Sequence, residues 1–227
     1  MGGILIWLTV LVLIFTMNWL APWLSEISGS VFVSRLDFLS RSQTWLPLFA
    51  LVTTALLGLA DDYMSVKNIG GNKGGGMRFA WRLVWLFLIA LAIGWWFHFK
   101  LGWDEIHLPA VGDFGIGWWY IPFLALLIVF FANASNITDG LDGLNAGILM
   151  QAFLVLGTIA FFQHRMDLAA FCGAIAGALL GFLWFNFYPA RFFMGDTGAV
   201  SLGATLAVVA ALLNSLFILP FLVVIYL

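Results

Sequence analysis

The sequence predicts an all-α, polytopic transmembrane helical bundle, and three observations carry that expectation. Hydrophobic residues fill 63% of 227 positions and charged residues only 9%, whereas water-soluble domains carry roughly 25% charged residues. The apolar residues form continuous runs near the ~20 residues that a helix needs to cross hydrocarbon. They lack the apolar–polar alternation of membrane barrel strands. Twelve Trp and twenty-three Phe suit a chain that faces headgroups and acyl tails.

Taken in order, the runs are 3–24, 44–60, 80–98, 118–134, 144–162, 168–187 and 198–213, and an eighth starts near Ser215 and is still apolar at Leu227. About seven to eight spans are therefore expected. The first is a true span and not a signal peptide, because Met1 to Leu24 contains no Lys or Arg and is too long. No soluble domain, linker or repeat interrupts the runs. The expectation is a single integral-membrane domain over 1–227, incomplete at both ends. A formal net charge of −2 argues against nucleic acid as a partner. Cys172 is the only cysteine, which excludes an internal disulfide and a cysteine metal cluster.

Alternating crossings sort the connections into two sets: 61–79, 135–143 and 188–197 on one side, and 25–43, 99–117 and 163–167 on the other. The first side holds Asp61, Asp62, Asp139, Asp142 and Asp196. Lys67, Lys73, Arg78 and Arg82 cluster beside the first pair, so the positive-inside rule puts the carboxylate side in the cytoplasm. His98, His107 and His164 map to the opposite side, away from these acids. The Trp residues at 95, 96, 103, 118 and 119 read as an aromatic belt.

Four stretches could carry chemistry. Asp61-Asp62 closes a span, and adjacent carboxylates near hydrocarbon need a cation or donors; a solvated helix end is the plainer reading. Asn136, Asp139 and Asp142 recur every three residues, so successive helical turns would aim three oxygen-bearing side chains at one place. Gly140 and Gly143 would admit a phosphate close to the backbone, although a capped turn explains one of these acids equally well. Asp196 sits between Gly195 and Thr197-Gly198 at a helix start, which favours anions and equally suits an N-cap. The glycine-rich loop 70–76 holds Lys73, a candidate phosphate contact, but lacks the Lys-Ser/Thr ending of a P-loop.

With these motifs in this order, the chain resembles the polyprenyl-phosphate N-acetylhexosamine-1-phosphate transferases, and within them the phospho-N-acetylmuramoyl-pentapeptide transferase branch. The resemblance rests on Met1-Gly2-Gly3-Ile4-Leu5-Ile6, Asp61-Asp62-Tyr63, Asn136 to Leu144, and Leu180 to Asn186 leading to Phe193-Met194-Gly195-Asp196. It spans essentially the whole chain. It implies a magnesium-dependent enzyme of peptidoglycan synthesis, in the bacterial inner membrane with its site on the cytoplasmic face. UDP-N-acetylmuramoyl-pentapeptide and undecaprenyl phosphate would give lipid I and UMP. The resemblance makes Asp196 the magnesium-binding aspartate and a catalytic residue together with Asp61 and Asp62, which are further candidate ligands. It makes Asn136, Asp139 and Asp142 the central polar motif that meets substrate. Asn186 and Phe193 would line the nucleotide pocket, with the phenyl ring near uracil. The oligomeric state is left open, a homodimer included.

The chain departs from the family's pattern in three ways. The family has a further span before the Met-Gly-Gly segment, more spans and a histidine-rich loop after the last motif, and a lysine where this chain has Ser65, with Lys67 two residues on. A sister transferase that moves N-acetylglucosamine-1-phosphate is the nearest alternative. An ion-coupled transporter would place its acids at mid-span, and a non-catalytic remnant would only pack with partners.

Overall fold

The structure is a computed structural model and describes residues 2–28, 44–70, 75–108 and 112–223. Among the described residues seven main helices follow one another: α1 Gly3–Ser28, α2 Trp45–Val66, α3 Phe79–Leu101, α4 Tyr120–Thr138, α5 Leu144–Phe162, α6 Met166–Asn186 and α7 Asp196–Leu212. The first six are long and apolar enough to cross a membrane, whereas α7 has 17 residues. The eighth apolar run gives only a 3₁₀ turn, Leu216–Ile218, and one helical turn, α8, Leu219–Leu222; residues 224–227 lie outside the described residues.

Two helices run beyond their apolar stretch. Helix α2 continues through Asp61 and Asp62 to Val66, and α4 continues through polar residues to Thr138. Side chains in α4 satisfy themselves on its own backbone: Asn133 Nδ2 donates to the Val129 carbonyl (2.8 Å) and Thr138 Oγ1 to that of Ala134 (2.9 Å). These two side chains thus stay in the helix without an outside partner, while Ser135 Oγ donates to Asn145 Oδ1 of α5 at 3.1 Å.

Helix α7 is the axle of the bundle. Every residue from Thr197 to Leu212 is buried, while the outer helices expose large apolar side chains such as Trp19, Phe162 and Trp184. Surrounding helices, not lipid, cover α7, so its length of about 25 Å at 1.5 Å per residue need not match the hydrocarbon thickness. Apolar lipid tails give helices little hydrophobic reason to associate, so close backbone packing by small residues takes over. A Cβ on Gly58 of α2 would lie 2.4 Å from the Asp196 carbonyl oxygen, and one on Gly3 of α1 would lie 2.3 Å from the Gly198 nitrogen. Gly203 of α7 meets the Phe131 carbonyl of α4 in the same way, at 2.4 Å. Ser201 and Thr205 donate to the Thr197 and Ser201 carbonyls (2.8 and 2.7 Å), which hides their hydroxyls inside the bundle.

At the end of the bundle away from the acidic motifs, an antiparallel hairpin pairs β1 Glu105–Leu108 with β2 Gly112–Gly115. The sequence reading expects a loop there, since four-residue strands are too short for alternation to register.

Candidate active site

Three helix ends build the site. Helix α2 delivers Asp61 and Asp62 in its last turn and a half, α3 carries Arg82 in its first turn, and α7 starts at Asp196. Together with Ser65, Gly75, Gly76, Met77 and Phe79 they line one cavity of ≈ 390 Å³. The contact of Gly58 with Asp196 sets the separation of α2 and α7, and hence that of Asp61 and Asp196.

Each carboxylate has its own role. Arg82 Nη1 pairs with Asp61 Oδ2 at 3.3 Å and, more closely, with Asp196 Oδ2. The other oxygen of Asp61, Oδ1, accepts the Met77 amide at 2.6 Å, which ties the end of the glycine-rich loop to α2. Asp62 reaches across to cap α7: Oδ1 accepts the Asp196 amide (3.2 Å), and Oδ2 accepts the Thr197 amide (3.2 Å) and hydroxyl (2.6 Å). A negative group there satisfies orphan N–H donors and sits at the positive end of the helix dipole. Gly195, at φ +73°, is needed for this approach, because a Cβ would stand 2.8 Å from Asp62 Oδ2.

The other motif residues brace the loop that leads into α7. Asp139 Oδ2 accepts the Gly195 amide at 2.8 Å and Asp142 Oδ2 the Ala190 amide at 3.0 Å. Asn186 accepts the Gly143 amide (3.1 Å) through Oδ1 and donates to the Phe192 carbonyl (3.0 Å) through Nδ2. At the start of α1, the Gly2 and Gly3 amides donate to the Phe193 and Met194 carbonyls (3.1 and 2.8 Å). Burial pushes the Asp139 carboxyl up to about 6; the Gly195 and Asn145 hydrogen bonds oppose that rise and the charge of Asp62 adds to it.

The arrangement differs from the expectation in several places. Asn136, Asp139 and Asp142 do not stack on successive turns of one helix, because α4 ends at Thr138 and Gly143 turns the chain at φ +72°. Asp139 and Asp142 instead hold the two ends of the 190–195 segment, and Asn136 is half-buried near the end of α4. Asn186 is 2% exposed, with both ends of its amide engaged in loop bracing, while Phe193 is exposed. Lys73 lies outside the described residues. Arg82 is the residue that the sequence reading passed over, having counted it only as a flanking positive charge. The available signal was its position inside an apolar run, where a charge needs a partner.

The donor set fits a hard divalent cation: two carboxylates, Asp61 and Asp196, share a single guanidinium beside an open cavity. Among the described residues no three His, Cys, Asp or Glu side chains form a ready cage. Magnesium suits such a site, because it takes one or two carboxylates and completes its shell with water and substrate phosphates.

Fold and site together define a multi-pass membrane protein with an acidic cavity at one end of its helices. The chain belongs to glycosyl transferase family 4, whose model matches residues 44–214. It is 38% identical over 194 residues to a Listeria monocytogenes protein named phospho-N-acetylmuramoyl-pentapeptide-transferase, an alignment covering 84% of this chain and 55% of the relative. A protein of that name from Chloroflexus aurantiacus is 37% identical over 226 residues, covering 97% and 56%. One from Levilactobacillus brevis is 37% identical over 171 residues, covering 75% and 52%. The chain spans about half the length of the curated relatives it matches.

Proposed function

We propose that the chain carries the catalytic centre of a phospho-N-acetylmuramoyl-pentapeptide transferase, acting at the cytoplasmic face of the bacterial plasma membrane. Its substrates are UDP-N-acetylmuramoyl-pentapeptide and undecaprenyl phosphate, and its products are lipid I and UMP. The observation that carries this reading is the convergence of Asp61, Asp62 and Asp196, from distant parts of the sequence, on one cavity at the helix ends. The names of the relatives support phospho-N-acetylmuramoyl-pentapeptide as the group transferred.

Phosphoryl transfer asks the protein for positioning and charge neutralisation more than for covalent chemistry. Asp61 and Asp196 are the residues that would hold magnesium, and the ion would supply charge neutralisation for the pyrophosphate and the departing nucleotide. Asp62 fixes the first turn of α7 and with it the direction of the Asp196 carboxylate. Asp139 and Asp142 fix the approach of the 190–195 segment. An oxygen of the lipid phosphate attacks the sugar-bearing phosphorus in line, and the bond from that phosphorus to the oxygen shared with UMP breaks. Near neutral pH the lipid phosphate is largely ionised, its second pKa being about 6, so no residue has to remove its proton.

The acids of the site lie at helix ends, which suits a meeting place for a soluble nucleotide and a lipid headgroup better than an ion path through mid-membrane. The test is to supply the purified chain, with undecaprenyl phosphate, with radiolabelled UDP-N-acetylmuramoyl-pentapeptide or UDP-N-acetylglucosamine. Lipid I and UMP are expected from the first alone. Product from the second would assign the sister activity. No turnover, and no thermal stabilisation by either nucleotide, would leave a non-catalytic membrane protein.

A further inference from the structure

We infer that Arg82 is a resident counter-ion for Asp61 and Asp196, which yields those carboxylates to an incoming divalent cation and then turns its guanidinium to the phosphate oxygens of the substrate. The inference rests on the metal site of the proposed function and adds a role for a residue of this chain. Both ion pairs run through one nitrogen, Nη1. The Nε atom is buried with no hydrogen-bond partner among the described residues. A guanidinium offers five N–H donors in a planar fork and binds a carboxylate best side-on, through two of them. Here one corner of the fork is divided between two carboxylates, and Nε stands idle. That is a poor final use of an arginine and a good parked one.

The charges point the same way. Asp61 and Asp196 together carry two negative charges against one guanidinium, and Asp62 is answered by two amides and a hydroxyl, all neutral. A divalent cation on Asp61 and Asp196 would balance them fully and would repel a guanidinium still at the same oxygens. Arg82 has somewhere to go, since it lines the ≈ 390 Å³ cavity. Its guanidinium carbon lies 5.5 Å from the centre of the Phe79 ring, an apolar rest that asks for no hydrogen bonds. From the cavity wall the free fork matches phosphate geometry. Cation and arginine therefore compete for the same carboxylates, and by linkage each weakens the hold of the other.

The test uses the detergent-solubilised chain with Mn²⁺ as the probe, free ion being counted by electron paramagnetic resonance. Arg82→Gln should bind Mn²⁺ about tenfold more tightly than wild type, a typical coupling between competing groups. Arg82→Lys should stay near wild type. At saturating Mn²⁺, UMP should bind Arg82→Gln several-fold more weakly. Equal or weaker Mn²⁺ binding by Arg82→Gln, in a protein whose wild type binds the ion, would overturn the role of Arg82 and leave the transferase reading intact. No Mn²⁺ binding by wild type would remove the metal site and this inference with it. A measurement on wild type alone guards against a variant that fails to fold: phenylglyoxal labelling of Arg82, read by mass spectrometry, should rise when Mn²⁺ is added. Unchanged labelling would mean that the guanidinium stays where it is, and the proposal would fail.

Discussion

The two ends of the bundle are similarly rich in titratable groups, yet among the described residues only one of them brings carboxylates and a guanidinium together. The hairpin end holds Asp104, Glu105, Asp167, Lys100, Arg165 and three histidines, and a cavity of ≈ 360 Å³ lined by Asp104, Glu105 and Asn214. Among the described residues no ion pair joins two of its members. His98 packs against Phe99 and Trp118, with ring centroids 5.1 and 5.6 Å away, and Asp167 is buried with its Oδ2 unpartnered among the described residues. At the acidic end, by contrast, lie both ion pairs found among the described residues, and carboxylates there cap α7 or brace the loops beside it. Charge count alone does not mark a site; convergence from segments far apart in sequence does.

The largest expected effect separates the two ends directly. On the proposed function, Asp196→Asn should lower lipid I formation by about 10²–10³-fold, the scale of losing one electrostatic group at a reacting centre. Asp104→Asn, of similar chemistry at the other end, should stay within about twofold, as substitutions away from such features usually do. Comparable losses in both would erase the contrast.

A second measurement tests how the acidic end is held together. Gly58→Ala puts a methyl group where 2.4 Å separates it from the Asp196 carbonyl, so α2 and α7 must part. Overpacking of this kind costs about 1–3 kcal/mol, and chemical denaturation should show it together with reduced turnover. A variant as stable and active as wild type would mean that this contact does not set the spacing of Asp61 and Asp196.

Most of the fold is legible in the sequence because lipid permits few solutions: a run of about 20 apolar residues in hydrocarbon must be helical. The aspartates are legible too, since acids amid glycines at the ends of such runs are rarely there for packing. Other features are hidden for physical reasons. Arg82 looks like an ordinary flanking charge until α2 and α7 are folded beside it. Asp139 and Asp142 look like neighbours on one helical face until α4 is seen to stop at Thr138, before either of them. Nothing local identifies α7 as central, since its small residues matter only against Gly3, Gly58 and Phe131.

Two smaller effects sharpen the picture of bracing. Thr197→Val removes the hydroxyl that donates to Asp62 at 2.6 Å and should cost about 1 kcal/mol, seen as a lower denaturation midpoint. An unchanged midpoint would show that the two amides suffice. For Asp139 the sign follows from a carboxyl held above its ordinary value of 3.8, at about 6. The folded chain then keeps this proton longer than the unfolded chain does, so the contribution of Asp139 to stability is present at low pH and is lost as pH rises through that window. The melting temperature of Asp139→Asn should fall less over the same window than that of wild type. Parallel profiles would dismiss Asp139 as the source.

The sheathed position of α7 also bears on how the chain is assembled in a bilayer. A helix carrying Thr197, Ser201 and Thr205 among glycines and alanines gains less from lipid, residue for residue, than α1 or α4 and more from their company. Its docking is therefore favoured only once α1, α2 and α4 offer a groove of the right width. Asp196 travels at its tip, so the last carboxylate reaches Asp61 when that insertion is finished, and an unfinished bundle carries no finished centre.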